Sequence, residues 1–401
     1  MPKPFDLNLR HLRALDHGVK LRSLNRAAEA SGMSQPALTQ GLGKLERQLG
    51  VLLFDRHPDG VTPTPAGIAL AERTARAFDY LAAATRRAGR GGGRGFARPE
   101  RLMTATQLEA FLHFANAQGF AGAASTSGLS QPAIHRAVRE LEQICATPLV
   151  ERRGRGMVMT PAGRALGRGV RLAAGEIAAG IAEARGEEGD AGRVAIGAMP
   201  LSRALLLPRA LALFLKEAPR AVVDVVEGSW RELVDPLLDG VIDVMVGALR
   251  EDAPPGVDQV PLFTDRLAIF GRRGHPLEGK PVDLATLSAQ QWIVGPLGTP
   301  LRAHWEALFG APAPQVPVEC GSVMVIRGLL AQSDLLTLLS PDQVALEVEA
   351  GMLVRIGPDL ADTVRTIGIS TRSGWRPTRA QAMLIRHLHQ ATIDTRLQKN
   401  R

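Results

Sequence analysis

The chain has 401 residues, of which 45% are hydrophobic and 22% are charged. This length predicts two to four globular domains rather than one core. The sequence has no apolar run long enough to cross a membrane, and its first residues lack the apolar segment of a signal peptide. We therefore expect a cytoplasmic protein that makes no membrane contact.

The sequence does not support a metal-binding protein, a cofactor-binding protein or an enzyme. Cys145 and Cys320 stand far apart and match neither a metal-binding pattern nor a disulfide framework. Sequences of the types GxSxG, Walker loop and HExxH do not occur, and His275 is expected to mark a surface loop. The sequence predicts a protein that is not an enzyme and holds no cofactor.

The net charge of +8 is concentrated near the N-terminus. Residues 1–100 hold 16 Lys and Arg against 9 Asp and Glu, residues 101–190 hold 10 against 9, and the rest is balanced. A basic N-terminal region fits electrostatic attraction to DNA phosphates, although solvated basic faces occur in many other proteins.

The sequence contains an internal repeat. Residues 12–67 align without a gap on residues 108–163, at an offset of 96, and 20 of the 56 aligned positions are identical. SGMSQPAL matches SGLSQPAI, and TPAG occurs in both copies. Two copies of one domain explain such a match most simply.

Each copy predicts three helices followed by a two-stranded wing. The first helix of copy one has apolar residues at helical spacing, namely Leu12, Leu15 and Val19. A short second helix is expected between Ser23 as N-cap and Gly32 as its end. A third begins after Ser34, with Pro36 in its first turn. Its apolar stripe consists of Leu38, Leu42, Leu45 and Leu49.

The pattern AA…SG.SQPA……LE..LG..LF.R……T..G resembles the N-terminal domain of LysR-type transcription regulators. The resemblance implies a winged helix-turn-helix, with recognition helices at residues 34–47 and 130–143. Together with the repeat it predicts two winged helix-turn-helix domains, mainly α, followed by an α/β effector-binding domain. The expected boundaries are 1–66 and 103–161 for the winged domains, 67–102 and 162–190 for the linkers, and 191–401 for the effector domain.

The resemblance places DNA contacts on the outward face of each recognition helix and on each wing. In copy one we expect the N-cap Ser34, base contacts from Gln35, Thr39 and Gln40, and phosphate contacts from Lys44 and Arg56. In copy two the corresponding candidates are Ser130, Gln131, His135, Arg136, Arg139, Arg152, Arg153 and Arg155.

Each copy departs from the family pattern in its own way. Gly41 and Gly43 lie inside the recognition helix of copy one, where each costs up to about 1 kcal/mol relative to alanine. They indicate either a close backbone approach or a weakened copy. In copy two, CATPLV replaces LG..LF, and Pro148 is expected to alter how the chain enters the wing. Two alternatives stay open: both copies contact DNA, or one is a structural spacer.

A long helix is predicted after each TPAG. Its apolar seams are Ile68, Ala71, Ala75, Phe78 and Ala82 in the first helix and Leu166, Val170, Ala173, Ile177 and Ile181 in the second. By resemblance these helices form dimer contacts in a homodimer or homotetramer, and the alternative is packing on their own domains. Residues 86–101 are rich in Gly and Arg and are expected to be flexible.

From residue 192 onward, strands alternate with helices, which predicts a parallel α/β sheet. The order resembles the family's effector domain, which has the type II periplasmic binding-protein fold. The resemblance implies lobe I at about 191–264 and 366–401, lobe II at about 265–365, and a ligand cleft between them. Trp230, at a helix start, is a candidate for a subunit interface.

Residues at strand-to-helix junctions are the effector-binding candidates. Ser202, Thr299 and Ser322 are expected to be helix N-caps, where free N–H groups favour an anion. A carboxylate is therefore the first expectation for the effector, and a sugar is the alternative. The full set of candidates is Met199, Ser202, Gly247, Ala248, Thr299, Pro300, Ser322, Val323 and Ser340.

These patterns together predict a metabolite-controlled regulator that binds double-stranded operator DNA and acts on RNA polymerase. One alternative is a DNA-binding regulator with one inactive helix-turn-helix and a vestigial ligand pocket. A transporter's solute-binding protein would suit the fold of the C-terminal half, but the two predicted DNA-binding domains argue against it.

Overall fold

The structure is a computed structural model that describes residues 2–57, 60–89, 96–117, 119–154, 156–186 and 191–399. The chain divides into two compact units. The first consists of Met1–Gly192 with Leu238–Val241, and the second of Arg193–Leu237 with Ile242–Arg401.

The first unit contains the same series of elements twice. The first series is α1 Leu9–Leu21, α2 Leu24–Ser31, α3 Gln35–Leu49, β1 Phe54–His57, β2 Gly60–Pro63 and α4 Pro65–Ala88. The second series is α5 Ala105–Ala117, α6 Phe120–Ser127, α7 Gln131–Cys145, β3 Val150–Arg153, β4 Gly156–Met159 and α8 Pro161–Arg185. A short 3-10 turn precedes each series, at Pro4–Asp6 and Pro99–Arg101.

Side-chain caps begin the predicted helices where the sequence placed them. The Ser34 hydroxyl accepts a hydrogen bond from Ala37 N, and the Ser23 hydroxyl accepts one from Arg26 N. Gly32 ends α2 with φ of +62°, a left-handed conformation that glycine adopts without a steric penalty. The predicted caps and helix end are confirmed.

The same hydrogen bond fastens each recognition helix to its wing. Glu46 Oε1 accepts a hydrogen bond from Leu53 N at 2.9 Å, and Glu142 Oε1 accepts one from Leu149 N at 2.9 Å. These bonds explain why both copies carry Leu-Glu at the same place: the leucine is buried and the glutamate holds the chain that enters the wing.

The expectation that Pro148 alters the second wing is wrong. Thr160 Oγ1 donates to Pro148 O at 2.8 Å, and Thr64 Oγ1 donates to Leu52 O at 2.8 Å. The pairing of β3 with β4 also repeats the register of β1 with β2. Only a backbone carbonyl is needed at this position, and proline supplies one.

One apolar core extends through both series and both long helices. The predicted stripe Leu38, Leu42, Leu45 and Leu49 is buried in it. Cys145 occupies the position that corresponds to Leu49, and burial raises the pKa of its thiol to about 11. Gly41 permits a close approach, because a Cβ there would lie 2.6 Å from the His11 ring.

The long helices α4 and α8 pack against each other in antiparallel orientation. A Cβ built on Gly169 would lie 2.2 Å from Ala84 Cβ, and one built on Gly180 would lie 2.9 Å from Arg73 Cβ. The predicted seam of α8 is confirmed as buried. The predicted seam of α4 is wrong in part: Ala71 is buried, but Ile68 is 42% exposed and the other three predicted residues are only half-buried. The buried stripe is Leu70, Ala71, Ala77, Leu81 and Ala84.

The second unit alternates strands and helices. Its strands are β5 Ala191–Ala198, β6 Arg220–Glu227, β7 Val244–Ala248, β8 Val257–Arg266, β9 Ala268–Arg272, β10 Gln291–Val294, β11 Gln315–Glu319, β12 Thr337–Leu339, β13 Leu353–Ile356 and β14 Val364–Arg372. Its helices are α9 Leu206–Glu217, α10 Trp230–Leu238, α11 Leu284–Ser288, α12 Pro300–Phe309, α13 Val323–Leu330, α14 Ala345–Glu349 and α15 Arg379–Lys399.

The strands form a five-stranded sheet in the order β6-β5-β7-β14-β8, a three-stranded sheet β12-β9-β13 and the pair β10-β11. β5 and β7 are parallel, as predicted, but β14 runs antiparallel to β7 and β8. The expectation of a parallel sheet is wrong for β14, which returns from the second block of strands, and for β12 and β13, which run antiparallel to β9. α15 then packs on α9.

None of the helices in the described ranges is both long and apolar enough to span a membrane. Within the same ranges, His, Cys, Asp and Glu side chains form no group of three that could hold a metal ion.

The glycine of each TPAG sequence lies where the long helix, α4 or α8, packs against the chain that enters its wing. A Cβ on Gly163 would lie 2.0 Å from Leu149 O, a backbone atom that cannot move aside. We expect Gly163→Ala to lower the free energy of unfolding by about 1–3 kcal/mol through overpacking. Calorimetry of the full-length protein should then show a lower unfolding midpoint.

Gly175→Ala is the matched control in the same helix, since no described atom outside the local backbone of α8 and the two neighbouring residues lies within 4 Å of the added methyl group. It is expected to be neutral or to stabilise α8 by up to about 1 kcal/mol. Equal midpoints for the two variants would contradict the close contact between Gly163 and the wing.

Candidate functional site

The outer face of α3 is polar and basic. Gln35, Gln40 and Lys44 are exposed and Thr39 is half-buried, above the buried leucine stripe of the same helix. Gln35 Nε2 donates to Thr39 Oγ1 at 3.4 Å, so these two side chains lie together near the helix start. The face is open for contact with a groove of DNA.

The outer face of α7 carries different side chains. Gln131, His135, Arg136 and Arg139 are exposed and lie together on one surface of the helix. The His135 ring lies 4.8 Å from the ring of Phe120, which restricts its orientation. Ser130 caps α7 by accepting a hydrogen bond from Ala133 N.

The two faces differ most at one pair of corresponding positions. Lys44 of α3 lies beside His11, and burial together with the Lys44 charge lowers the pKa of that histidine. At the 96-residue offset the pair becomes Gln107 and Glu140, whose side chains share a hydrogen bond of 2.8 Å. A cation in copy one is therefore replaced by an anion in copy two.

The wings present the predicted arginines. Arg56 lies exposed on β1, and Arg152 and Arg153 lie exposed on β3. Arg155 was also predicted to bind DNA, but it lies outside the described residues.

The second unit encloses a cavity of about 600 Å³, the size of small-molecule sites in proteins. Met199, Ala248, Thr299, Pro300 and Val323 of the predicted set line it. The N-termini of α12 and α13, capped by the hydroxyls of Thr299 and Ser322, border the cavity.

Four predicted residues do not line the cavity. Ser202 is not the N-cap of α9, which begins at Leu206, and its hydroxyl donates instead to Met199 O at 2.9 Å. Gly247 serves as a spacer, since a Cβ there would lie 2.4 Å from the Met199 side chain. Ser322 acts as a cap. Ser340 donates to Asp265 Oδ1 at 2.7 Å and is fully buried.

Sequence reasoning missed the arginine and glutamine side chains that line this cavity. Arg250 lines it, and its Nε is buried without a hydrogen-bond partner in the described part of the chain. Gln343 is 2% exposed and also lines it; its Oε1 accepts from Ser340 N, while its Nε2 has no partner among the described residues. Both orphaned groups are hydrogen-bond donors.

Two further arginines line the cavity but have acidic partners. Arg203 pairs with Glu227, and Arg365 Nε donates to Asp265 Oδ2 at 2.8 Å. Trp230 also lines the cavity. Its place in a subunit interface stays a prediction. Arg250 follows β7 by only two residues, and that junction was the one signal that could have identified it.

Comparison with known proteins matches three segments of the chain to two family profiles. The family profile described as bacterial regulatory helix-turn-helix protein, lysR family, matches residues 9–68 and again residues 105–164. The profile described as LysR substrate binding domain matches residues 187–392.

Similar proteins are transcriptional regulators rather than enzymes. HTH-type transcriptional regulator GalR of Pseudomonas putida is 32% identical over 392 residues, which cover 98% of that protein and 96% of this chain. The SDS degradation transcriptional activation protein of a Pseudomonas species is 33% identical over 276 residues, covering 90% of that protein and 67% of this chain.

The fold is similar to that of a full-length OxyR variant from Pseudomonas aeruginosa, with a TM-score of 0.57 and 22% identity over 94% of that protein and 72% of this chain. The profile and the relatives agree with the repeated motif. The chain therefore belongs to the LysR family: it is a LysR-type transcriptional regulator in which the helix-turn-helix sequence occurs twice, ahead of a substrate-binding domain.

Proposed function

We propose that both helix-turn-helix copies bind operator DNA, within the domain boundaries predicted from the sequence. The supporting observation is that α3 and α7 each present exposed polar or basic side chains above a fully buried apolar stripe. Gln35, Thr39 and Gln40 contact base edges in copy one, as do Gln131, His135 and Arg136 in copy two. The phosphate contacts come from Ser34, Lys44, Arg56, Ser130, Arg139, Arg152, Arg153 and Arg155.

A spacer role for copy two is less well supported. Its recognition face carries two exposed arginines, its cap is intact, and its wing has the register of the first wing. A copy kept only for packing would not need exposed arginines at these positions, because arginine side chains on the outer face contribute nothing to the apolar core.

We infer that the second unit has the type II periplasmic binding-protein fold with two lobes, and that its cavity binds a carboxylate. The orphaned donors Arg250 Nε and Gln343 Nε2 require acceptor atoms, which a carboxylate supplies. The bordering N-termini of α12 and α13 add a preference for negative charge. A sugar is the second candidate, because its hydroxyl groups also accept hydrogen bonds.

The regulator acts in the cytoplasm as a homodimer or homotetramer, and ligand binding changes its contact with DNA and with RNA polymerase. Because binding free energies are linked, DNA and ligand must change each other's affinity by the same factor.

DNA contact by both copies is tested by a DNase I footprint on the DNA that flanks the gene. Lys44→Ala and Arg139→Ala each remove one cation from a different recognition helix. We expect each to weaken a separate part of the protected region and to reduce the salt slope of binding by about one unit.

Lys216→Ala is the control, since Lys216 is an exposed lysine on α9 of the other unit. Loss of protection with only one of the two recognition-helix variants would assign DNA binding to one copy alone. Equal effects of Lys216→Ala would show that only overall charge matters.

The carboxylate is tested by thermal shift of the full-length protein against a panel of mono- and dicarboxylates, with sugars as a second panel. Gln343→Glu keeps the oxygen that accepts from Ser340 N but replaces the orphaned donor with a charged acceptor. We expect at least one carboxylate to raise the melting temperature of the wild type, and Gln343→Glu to abolish that shift.

Gln332→Glu, at an exposed position on the same unit, adds the same charge away from the cavity and should leave the shift intact. A Gln343→Glu protein that still responds to the carboxylate would contradict its place in the site, and a response to sugars alone would favour the second candidate.

A further inference from the structure

The contacts between α4 and α8 obey a two-fold relation. At the 96-residue offset, Arg73 corresponds to Gly169 and Ala84 corresponds to Gly180. Gly169 packs on Ala84, and Gly180 packs on Arg73. Exchanging the two copies converts one contact into the other, which is the property of an isologous pair in a symmetric dimer. Here both members of the pair belong to one chain.

Each copy also rests on the long helix of the other. Arg185 Nη1, at the end of α8, donates to Leu49 O at the end of α3, at 2.7 Å. The 3-10 turn Pro4–Asp6 of copy one packs on α8, and the turn Pro99–Arg101 of copy two packs on α4. The two copies are therefore held together by crossed contacts as well as by the helix pair.

Buried charges select the pairing of α4 with α8. Arg73 is 1% exposed and donates to Glu183 at 2.7 Å and to Glu176 at 3.0 Å. Arg76 Nε also donates to Glu176, at 3.0 Å. Both arginines lie on α4 and both glutamates on α8, so the charges are complementary only between unlike helices.

Pairs of like helices would lose this complementarity. By the same offset, Glu176 and Glu183 correspond to Tyr80 and Arg87, so an α4–α4 pair would set a second arginine opposite Arg73. In an α8–α8 pair, Gly169 and Leu172 would stand opposite the two glutamates. Removing one partner from a buried ion pair is strongly destabilising, and such residues are known to specify which helices associate.

We propose that a single chain carries both of the DNA-binding heads that contact one two-part operator. The α4–α8 pair within the chain then does what a helix pair between two subunits would do in a symmetric dimer. Head 1 is α3 with the wing β1–β2, and head 2 is α7 with the wing β3–β4. The inference rests on the proposed DNA binding by both copies. Because the heads are unlike, the operator consists of two different half-sites in a fixed order rather than a palindrome.

The side chains at corresponding positions of the two heads predict how the two half-sites differ. Gln40 in head 1 corresponds to Arg136 in head 2, and Lys44 corresponds to Glu140. Glutamine pairs best with adenine in the major groove, whereas arginine pairs best with guanine. The half-site of head 1 is expected to carry an A·T pair where the half-site of head 2 carries a G·C pair.

Selection of bound duplexes from random-sequence DNA by the full-length protein tests this expectation. The wild type should enrich two unlike half-sites at fixed spacing, Gln40→Ala should relax one of them, and Arg136→Ala should relax the other. Two like half-sites that respond to the same substitution would overturn the inference while leaving DNA binding intact. Failure to enrich any sequence would overturn the proposed function and the inference with it.

A complementation experiment tests whether the two heads belong to one chain. One variant, disabled in head 1, carries Gln40→Ala with Lys44→Ala. A second variant, disabled in head 2, carries Arg136→Ala with Arg139→Ala. The two variants are co-expressed, and binding to the selected bipartite duplex is compared with that of each variant by itself. If heads pair within one polypeptide, every pair contains one disabled head, and the mixture should bind no better than the separate variants.

If α4 of one polypeptide pairs instead with α8 of another, the mixture contains pairs with two intact heads. Binding restored toward the wild-type level would then overturn the inference. Co-expressed wild-type proteins carrying the same two purification tags provide the control for full binding.

Discussion

The backbone contact between α4 and α8 is the constraint on which the first unit depends. Glycine at positions 169 and 180 lets the two helices approach until Ala84 and Arg73 fill the space that side chains would occupy. That approach brings Arg73 to Glu176 and Glu183 in a nearly dry interface, where an unpaired charge would be costly. The same helices carry the wings at their N-terminal ends, so the helix pair fixes where both recognition helices lie.

In the substrate-binding unit, buried hydrogen-bond donors matter more than close helix packing. Its cavity is lined by apolar side chains and by a few donors, of which Arg250 Nε and Gln343 Nε2 lack partners in the described part of the chain. A buried donor without a partner costs free energy that a ligand oxygen recovers on binding. In the neighbouring network, Ser340 Oγ and Arg365 Nε both donate to Asp265, and these hydrogen bonds fix part of the cavity wall.

Sequence predicted those features that local patterns determine. The caps at Ser23 and Ser34 and the leucine stripe of α3 follow from short-range rules, and the structure confirms them. It failed where distant contacts decide the outcome. Alanine-rich α4 offers several equally apolar faces, so its seam could not be placed without α8. Likewise, the side-chain donors of Arg250 and Gln343 are notable only because tertiary packing buries them without a hydrogen-bond partner, and sequence does not show that.

If one chain holds its two recognition helices at a fixed separation, pulsed electron spin resonance can measure that separation. Spin labels at Arg47→Cys and Gln143→Cys occupy corresponding exposed positions on α3 and α7, in a Cys320→Ser background. Cys145 is buried, with its pKa raised to about 11, and stays unlabelled at neutral pH. We expect one narrow distance between the labels, and we expect it to persist when the labelled protein is diluted into unlabelled wild type. A broad distance distribution, or a signal that disappears on dilution, would show that the two recognition helices are not held together within one chain.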